Sequence, residues 1–406
     1  MPDDILIRFE RVRQPVVLAD CAPVLPIIDR VLAAWPHVVE SGGPERLAPQ
    51  AHRITLARTA SLYLLDSPWL DRLIRHRDPL NAVCDLVVHL VHGFVATNPT
   101  ALCLHSAAAR IGGRLVVFPN VYRGGKSLLS AHLAALGAEI FADDVIPVRG
   151  RANHGFALGL APRLRLPFPD VVEPEFETFV ARHAGPVSAR YRYLDLGPGR
   201  QAPFGATAPI GAFVLLDRRE DHAAALEPLA RGETLRRVIA RNFARRQPAR
   251  RILDRLQRVV EGTPCYRLAY GDPATAARLL MARFSEWDAA RPEARRRAKT
   301  RARDVGRGGG PSDAWGRGGA WRLGSAVMER RVDDELFLIN GETDSIYHLN
   351  ALADALWGLA GTGAGEADMV NLLAAAFPSV AKNRIAGDVR ALIESLTRRG
   401  LLVRRA

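Results

Sequence analysis

The chain has 406 residues, 48% hydrophobic and 24% charged, which fits two or three soluble domains with real cores and excludes a disordered or fibrous chain. Its formal net charge is +13, which suits acidic partners such as ATP, an anionic peptide or nucleic acid. Six of those charges come from residues 291–307, with eight Lys/Arg against two acids. The four cysteines, Cys21, Cys84, Cys103 and Cys265, are scattered without a C-x-x-C, so neither a zinc site nor a disulfide framework is expected. With no signal-peptide pattern at the start, a reducing cytoplasm is the expected location.

In chain order, 5–12 reads as a strand, 27–35 as a helix and 54–65 as a strand, a small α/β lobe over 1–98 that carries no recognisable chemistry. Residues 79–96 read as a helix with Pro79 in its first turn and Val83, Val87, Leu90 and Phe94 along one stripe. Its apolar stretch 82–96 is too short to span a bilayer and carries Asp85, His89 and His92, so no membrane association is expected.

Residues 102–118 read as a hairpin turning at Gly112-Gly113, and 115–118 as a buried strand. Next come Asn120, Val121, Tyr122, Arg123, Gly124, Gly125, Lys126 and Ser127, which fit a phosphate-binding loop at every defining position but the first, where Asn120 stands for glycine. Asn tolerates the left-handed backbone, so the turn survives the exchange. A helix with Leu129, Leu133 and Leu136 on one face follows and stops at Gly137. A second buried strand, 138–141, then delivers Asp143 and Asp144. Strand, loop, helix, strand and acid are the parts phosphoryl transfer needs. Amides at a helix N-terminus and Lys126 hold phosphate, Ser127 holds Mg²⁺, and a carboxylate serves the metal or the incoming hydroxyl.

Further on, alternation places Arg163 and Arg165 on one strand face, either to meet transition-state charge or as a solvated edge. Residues 197–209 read as a surface loop, 211–217 and 265–270 as strands, and 274–287 as a closing helix. Between them, 231–258 carries ten arginines and two acids on helices broken near Pro248. That surface is either an anion-binding face or a solvated one whose arginine stems cover the core. Segment 289–322 lacks apolar periodicity and reads as a flexible, basic, Gly/Arg-rich linker. Beyond it, strands at 326–332, 336–339 and 345–349 and helices at 351–359, 368–376 and 381–399 outline a small α+β winged-helix domain over 323–406.

The spacing of His105, 21 residues before Lys126, with Asp143 17 residues after it, resembles the catalytic domain of bacterial HPr kinase/phosphorylase over residues 104–148. The resemblance is closer to the diverged HPr-kinase-like enzymes found with peptide-modification systems. It implies an α/β fold with a P-loop core over 99–288, ATP held by residues 120–127, and Mg²⁺ at Ser127 with Asp144 as second ligand. It further implies a general base at Asp143 or Asp144, with His105 close to the transferred phosphoryl group.

At the other end, Ile339, Tyr347-His-Leu-Asn350, Ala355-Leu-Trp357 and Leu392-Ile-x-x-Leu396-x-x-x-Gly400-Leu401-Leu402 resemble the PqqD-like family. That resemblance implies a peptide-binding module in which a precursor's leader adds as a strand to the open sheet edge beside the last helix. Lys382, Arg384, Arg390 and Arg398 would favour an acidic leader, or else form a solvated face. A winged helix also suggests DNA binding, but Asp388 and Glu394 on the last helix would repel phosphate.

The two resemblances together imply an ATP- and Mg²⁺-dependent kinase acting on a Ser or Thr hydroxyl of a ribosomally made precursor peptide, working beside other peptide-modification enzymes. The alternative is a nucleotide-sensing adaptor that delivers the peptide to another enzyme. A homo-oligomer stays open.

Overall fold

The computed structural model describes residues 4–41, 52–119, 125–149, 153–168, 173–243, 246–287, 301–303 and 321–405. The chain is mixed α/β and divides into two compact units. One comprises Met1–Leu229, Ala240–Arg246 and Thr263–Pro292; the other comprises Ala230–Ile239, Gln247–Gly262 and Glu293–Ala406.

The first unit opens with a six-stranded sheet in the order His37–Ser41, Ile5–Phe9, Val16–Ala19, Ile54–Thr59, Leu62–Asp66, Ile74–His76. The strand expected at 54–65 is thus two, joined by a turn with Ala60 at φ 47°. Helix α1 (Pro79–Thr97) starts where Asp78 accepts from the amide of Asn81. It buries Val83, Leu86, Leu90 and Phe94 in a core shared with Trp35. α1 is long and apolar enough to cross a membrane, but most of it is buried here as a core helix. That core also takes Phe156, Leu158 and Tyr193, so packing does not break at residue 98. Trp35, Phe94 and Phe156 are almost fully buried, and truncating such a ring costs about 3–5 kcal/mol.

The second sheet of this unit has nine strands. They are β1 (Leu102–His105), β2 (Ala107–Ile111), β3 (Arg114–Phe118), β4 (Glu139–Ala142), β5 (Val145–Arg149), β6 (His154–Phe156), β7 (Thr207–Arg218), β8 (Ala225–Pro228) and β9 (Cys265–Tyr270). The order is β4-β2-β3-β7-β6-β5-β1, with β9 on β7 and β8 on β9. β3, β7 and β9 run parallel. β7 reads as a near-continuous apolar run because it is covered on both faces. Helix α2 (Lys126–Ala135) follows β3 and buries Leu129, Leu133 and Ala134 against the sheet core.

The hairpin expected over 102–118 is shorter than the sequence suggested. Chain direction breaks at Ser106: β2 and β3 form the hairpin, while β1 leaves it and pairs antiparallel with β5, His105 opposite Val145. β1 is further held by Asn242, whose Oδ1 accepts from the amide of Cys103.

In the second unit, β10 (Arg301–Arg303), β11 (Val327–Val332), β12 (Glu335–Asn340) and β13 (Ser345–Leu349) form an antiparallel sheet in that order. Helices Ala351–Gly361, Glu366–Ala376 and Lys382–Arg398 cover one face, packing Trp357, Met369, Val389 and Ile393 on Leu336 and Leu338. The alternate residues Phe337 and Ile339 are equally buried, so the opposite face is covered too. Helices α3 (Arg231–Arg241) and α4 (Ala249–Glu261) belong to this unit for most of their length. The amide of Gly232 donates to Asp333 Oδ2 (3.0 Å) and that of Ala249 to Asp344 Oδ1 (2.7 Å). Two aspartates in sheet turns thus serve as caps for two helix N-termini. α3 approaches so closely that a Cβ at Gly232 would stand 2.4 Å from the Val332 carbonyl oxygen. Asp254 of α4 accepts from Arg330 Nη2 at 2.9 Å.

Two expectations change accordingly. The arginine-rich helices placed within 99–288 group largely with the C-terminal sheet; their amphipathic pattern announced a buried face but not its partner. Within the expected linker 289–322, Arg301–Arg303 is an edge strand and Trp321–Leu323 pairs with Leu402–Arg404. An edge strand needs only backbone bonds, which leave no apolar signature. Residues 288–300 and 304–320 lie outside the described residues.

Candidate functional site

The site forms where β3, α2 and the β4–β5 turn come together. β3 buries Leu115, Val116, Val117 and Phe118 and precedes the segment expected to bind phosphate. Asn120, Val121, Tyr122, Arg123 and Gly124 lie outside the described residues. Gly125 is described: it is the N-cap residue of α2 at φ 78°, a left-handed conformation that strains any residue with a Cβ. Lys126 and Ser127 follow in the first turn. Lys126 is only 9% exposed. Burial pulls its ammonium below the usual lysine range, against the pull of Asp144 and Asp143.

The neighbours of the two aspartates divide them. Both sit in the bend between β4 and β5, and Asp143 turns inward, 7% exposed. Its Oδ2 accepts from Ser127 Oγ (3.0 Å) and from the amide of Arg163 (3.1 Å). Its Oδ1 is buried with no hydrogen-bond partner among the described residues. Burial first, then the charge of Asp144, push the Asp143 carboxyl up to about 6. Asp144 keeps 45% of its side chain exposed and lies 2.9 Å from His105 Nε2. Burial alone would raise its carboxyl, but the His105 hydrogen bond and the charges of His105, Lys126 and Arg163 hold it below the usual carboxylate range.

The β1–β5 register explains the His105–Asp144 pair. With His105 opposite Val145, the residue before Val145 comes within reach of the imidazole. The structure therefore brings together the four catalytic candidates, His105, Lys126, Asp143 and Asp144, with Ser127, but it joins Ser127 to Asp143 and Asp144 to His105. Ser127 and Asp144, expected as joint metal ligands, are not hydrogen-bonded to each other. Arg163 joins the site through its amide, and its guanidinium lies 4.5 Å over the Tyr191 ring, a cation–π contact. Arg165 on the same strand is exposed.

The donor chemistry of these residues suits Mg²⁺. A buried carboxylate oxygen without a partner stands beside a serine hydroxyl at a helix N-terminus. Hard oxygen donors of this kind suit Mg²⁺, which uses one or two carboxylates and takes its other ligands from phosphate and water. Among the described residues no group of three His, Cys, Asp or Glu side chains forms an all-protein cage, the kind of site such an ion does not need. The four cysteines are buried and free.

Residues 335–402 match the family model described as Coenzyme PQQ synthesis protein D (PqqD), so the chain carries a PqqD-type domain at its C-terminus. Among solved structures, the chain is similar to TbiB1 in complex with the TbiA(beta) leader peptide. That match has 26% identity over 21% of this chain and 96% of that one, with a TM-score of 0.20. It is also similar to the Hpr(Ser) kinase/phosphatase from Coxiella burnetii, with 13% identity over 45% of this chain and 93% of that one and a TM-score of 0.24. No curated protein matches the chain.

Proposed function

We propose that the chain is an ATP- and Mg²⁺-dependent phosphotransferase that moves the γ-phosphoryl group to a Ser or Thr hydroxyl of a ribosomally made peptide, recruited by its PqqD-type domain. The observation that carries this reading is the division of the aspartates, one buried on Ser127 and one half-exposed on His105. Phosphoryl transfer needs one carboxylate for the metal and another for the acceptor, and here their surroundings separate the two tasks.

Ser127 and Asp143 would hold Mg²⁺, which would supply positive charge against the phosphate. Lys126 contributes a buried positive charge beside them, and amides at the start of α2 favour an anion. Asp144, kept ionised by His105, accepts the proton of the acceptor hydroxyl as its oxygen bonds to phosphorus and the bond to the ADP leaving group breaks. His105 orients Asp144. In the second unit, β13 is the last strand of its sheet and offers its outer edge, beside Lys382–Arg398, to an added peptide strand.

The test is transfer of ³²P from γ-labelled ATP to a precursor peptide co-expressed with the protein. Label on the peptide with wild type, and none with Lys126→Ala or Asp144→Asn, supports the reading. Wild-type protein that binds ATP and the peptide without labelling it would be an adaptor instead.

A further inference from the structure

One buried hydroxyl near the site has no use in the mechanism above. Tyr270 is the last residue of β9, and its ring is fully buried. Its hydroxyl finds no hydrogen-bond partner among the described residues. Leaving such a group unpaired is costly. It lies against the N-terminus of α2: a Cβ built on Gly125 would stand 2.7 Å from the Tyr270 oxygen. Gly125 is thus glycine for two reasons, its left-handed backbone and the space this hydroxyl borders.

Arg218 lies beside it. β7 and β9 are parallel, and Arg218 and Tyr270, the last residue of each, are register partners. The Arg218 Cδ lies 3.8 Å from the same point above Gly125. Arg218 makes no ion pair among the described residues, since the neighbouring Asp217 is taken by Arg219. β3, parallel to β7, ends on the same side and leads to α2. Carboxyl ends of parallel strands are where open α/β sheets receive ligands. Burial pushes the Tyr270 phenol up to about 12, so at neutral pH it keeps its proton and is available as a donor.

We propose that the Tyr270 hydroxyl donates a hydrogen bond to the phosphate chain of the bound nucleotide, with Arg218 supplying positive charge beside it. This rests on the phosphotransferase reading and adds two phosphate contacts outside the loop and helix that the sequence motif names.

The test is calorimetric binding of Mg²⁺-ATP and of inorganic triphosphate to the full chain, with Tyr270→Phe and Arg218→Met. Tyr270→Phe should weaken both ligands about tenfold, in the range of a hydrogen bond to a charged group. The unfolding midpoint of the ligand-free variant should be unchanged or higher, because an unpaired buried hydroxyl has been removed. Arg218→Met should weaken both ligands severalfold, less so at high salt. Equal affinity of wild type and both variants overturns this inference alone. Loss against ATP but not triphosphate overturns the phosphate assignment in favour of a ribose or base contact. A wild-type chain that binds neither ligand overturns the inference and the phosphotransferase reading together.

Discussion

The nine-stranded sheet of the first unit and the four-stranded sheet of the second present their surfaces in opposite ways. In the first, everything of chemical interest sits at strand ends and helix starts: Lys126, Ser127, Asp143, Asp144 and His105, each in a defined contact. In the second, both faces are covered, and among the described residues no further strand pairs with the outer edge of β13. A site of the first kind depends on single side chains and fails with one substitution. A strand edge depends on the integrity of the sheet and fails when the core beneath it loosens.

That contrast is sharpest in the largest expected effect. Lys126→Ala or Asp143→Asn should lower ATP turnover by a thousandfold or more, the order seen when a charge-stabilising group is removed. Asp143→Asn should nonetheless melt no lower than wild type at pH 8. The folded-state value of this acid lies above its ordinary one, so its ionisation works against the fold as pH rises from about 4 through 6 and above. A variant that loses both turnover and several degrees of stability would break the separation of site from scaffold.

Next in size, Leu338→Ala in the second unit should cost about 2–5 kcal/mol, since Leu338 is fully buried beneath the helices. Hydrogen exchange should accelerate across 327–349, and peptide capture should fall with it. Unchanged exchange with lost capture would place the peptide site in a side chain, against the comparison drawn here.

An acid-sensitive element belongs to the first unit. His132 stacks on Phe176 with ring centroids 3.7 Å apart, and burial pulls its imidazole down to about 4. A base whose folded value is depressed supports the fold above its ordinary value, and that support is lost as pH falls from about 6.5 through 4. Stability should drop by about 3 kcal/mol over that window, at about 1.4 kcal/mol per pKa unit, and denaturant titrations of His132→Phe should lack the slope.

The smallest expected effect concerns the helix caps of the second unit. Asp344→Ala should cost about 1 kcal/mol through the lost bond to the Ala249 amide, as cap removals do. Asp344→Gly tolerates the positive φ of 48° and should cost less than the alanine variant.

Much of this was legible in the sequence, for physical reasons that differ by element. α2, with Leu129 and Leu133 on one face, and the strand Cys265–Tyr270 announced themselves by periodicity and run length. So did the three C-terminal helices. The division of Asp143 from Asp144 was half legible: the acidic pair after a buried strand stood out, but which one meets Ser127 depends on β1 pairing with β5 across forty residues of chain. Tyr270 carried no motif, because its importance lies in what stands beside Gly125 in space. The arginines of α3 and α4 marked a surface, and only the folded chain shows which sheet the apolar sides of those helices cover.

The excursion through α3 and α4 leaves β8 and returns to β9, two strands paired with each other. The wall of the C-terminal sheet is therefore built from chain that belongs, in order of synthesis, to the middle of the molecule. A protease that nicked the backbone between 304 and 320 would not yield two separable proteins: the released tail would still hold helices left on the other fragment, through Asp333 on Gly232, Asp344 on Ala249 and Arg330 on Asp254, and the pieces should co-elute.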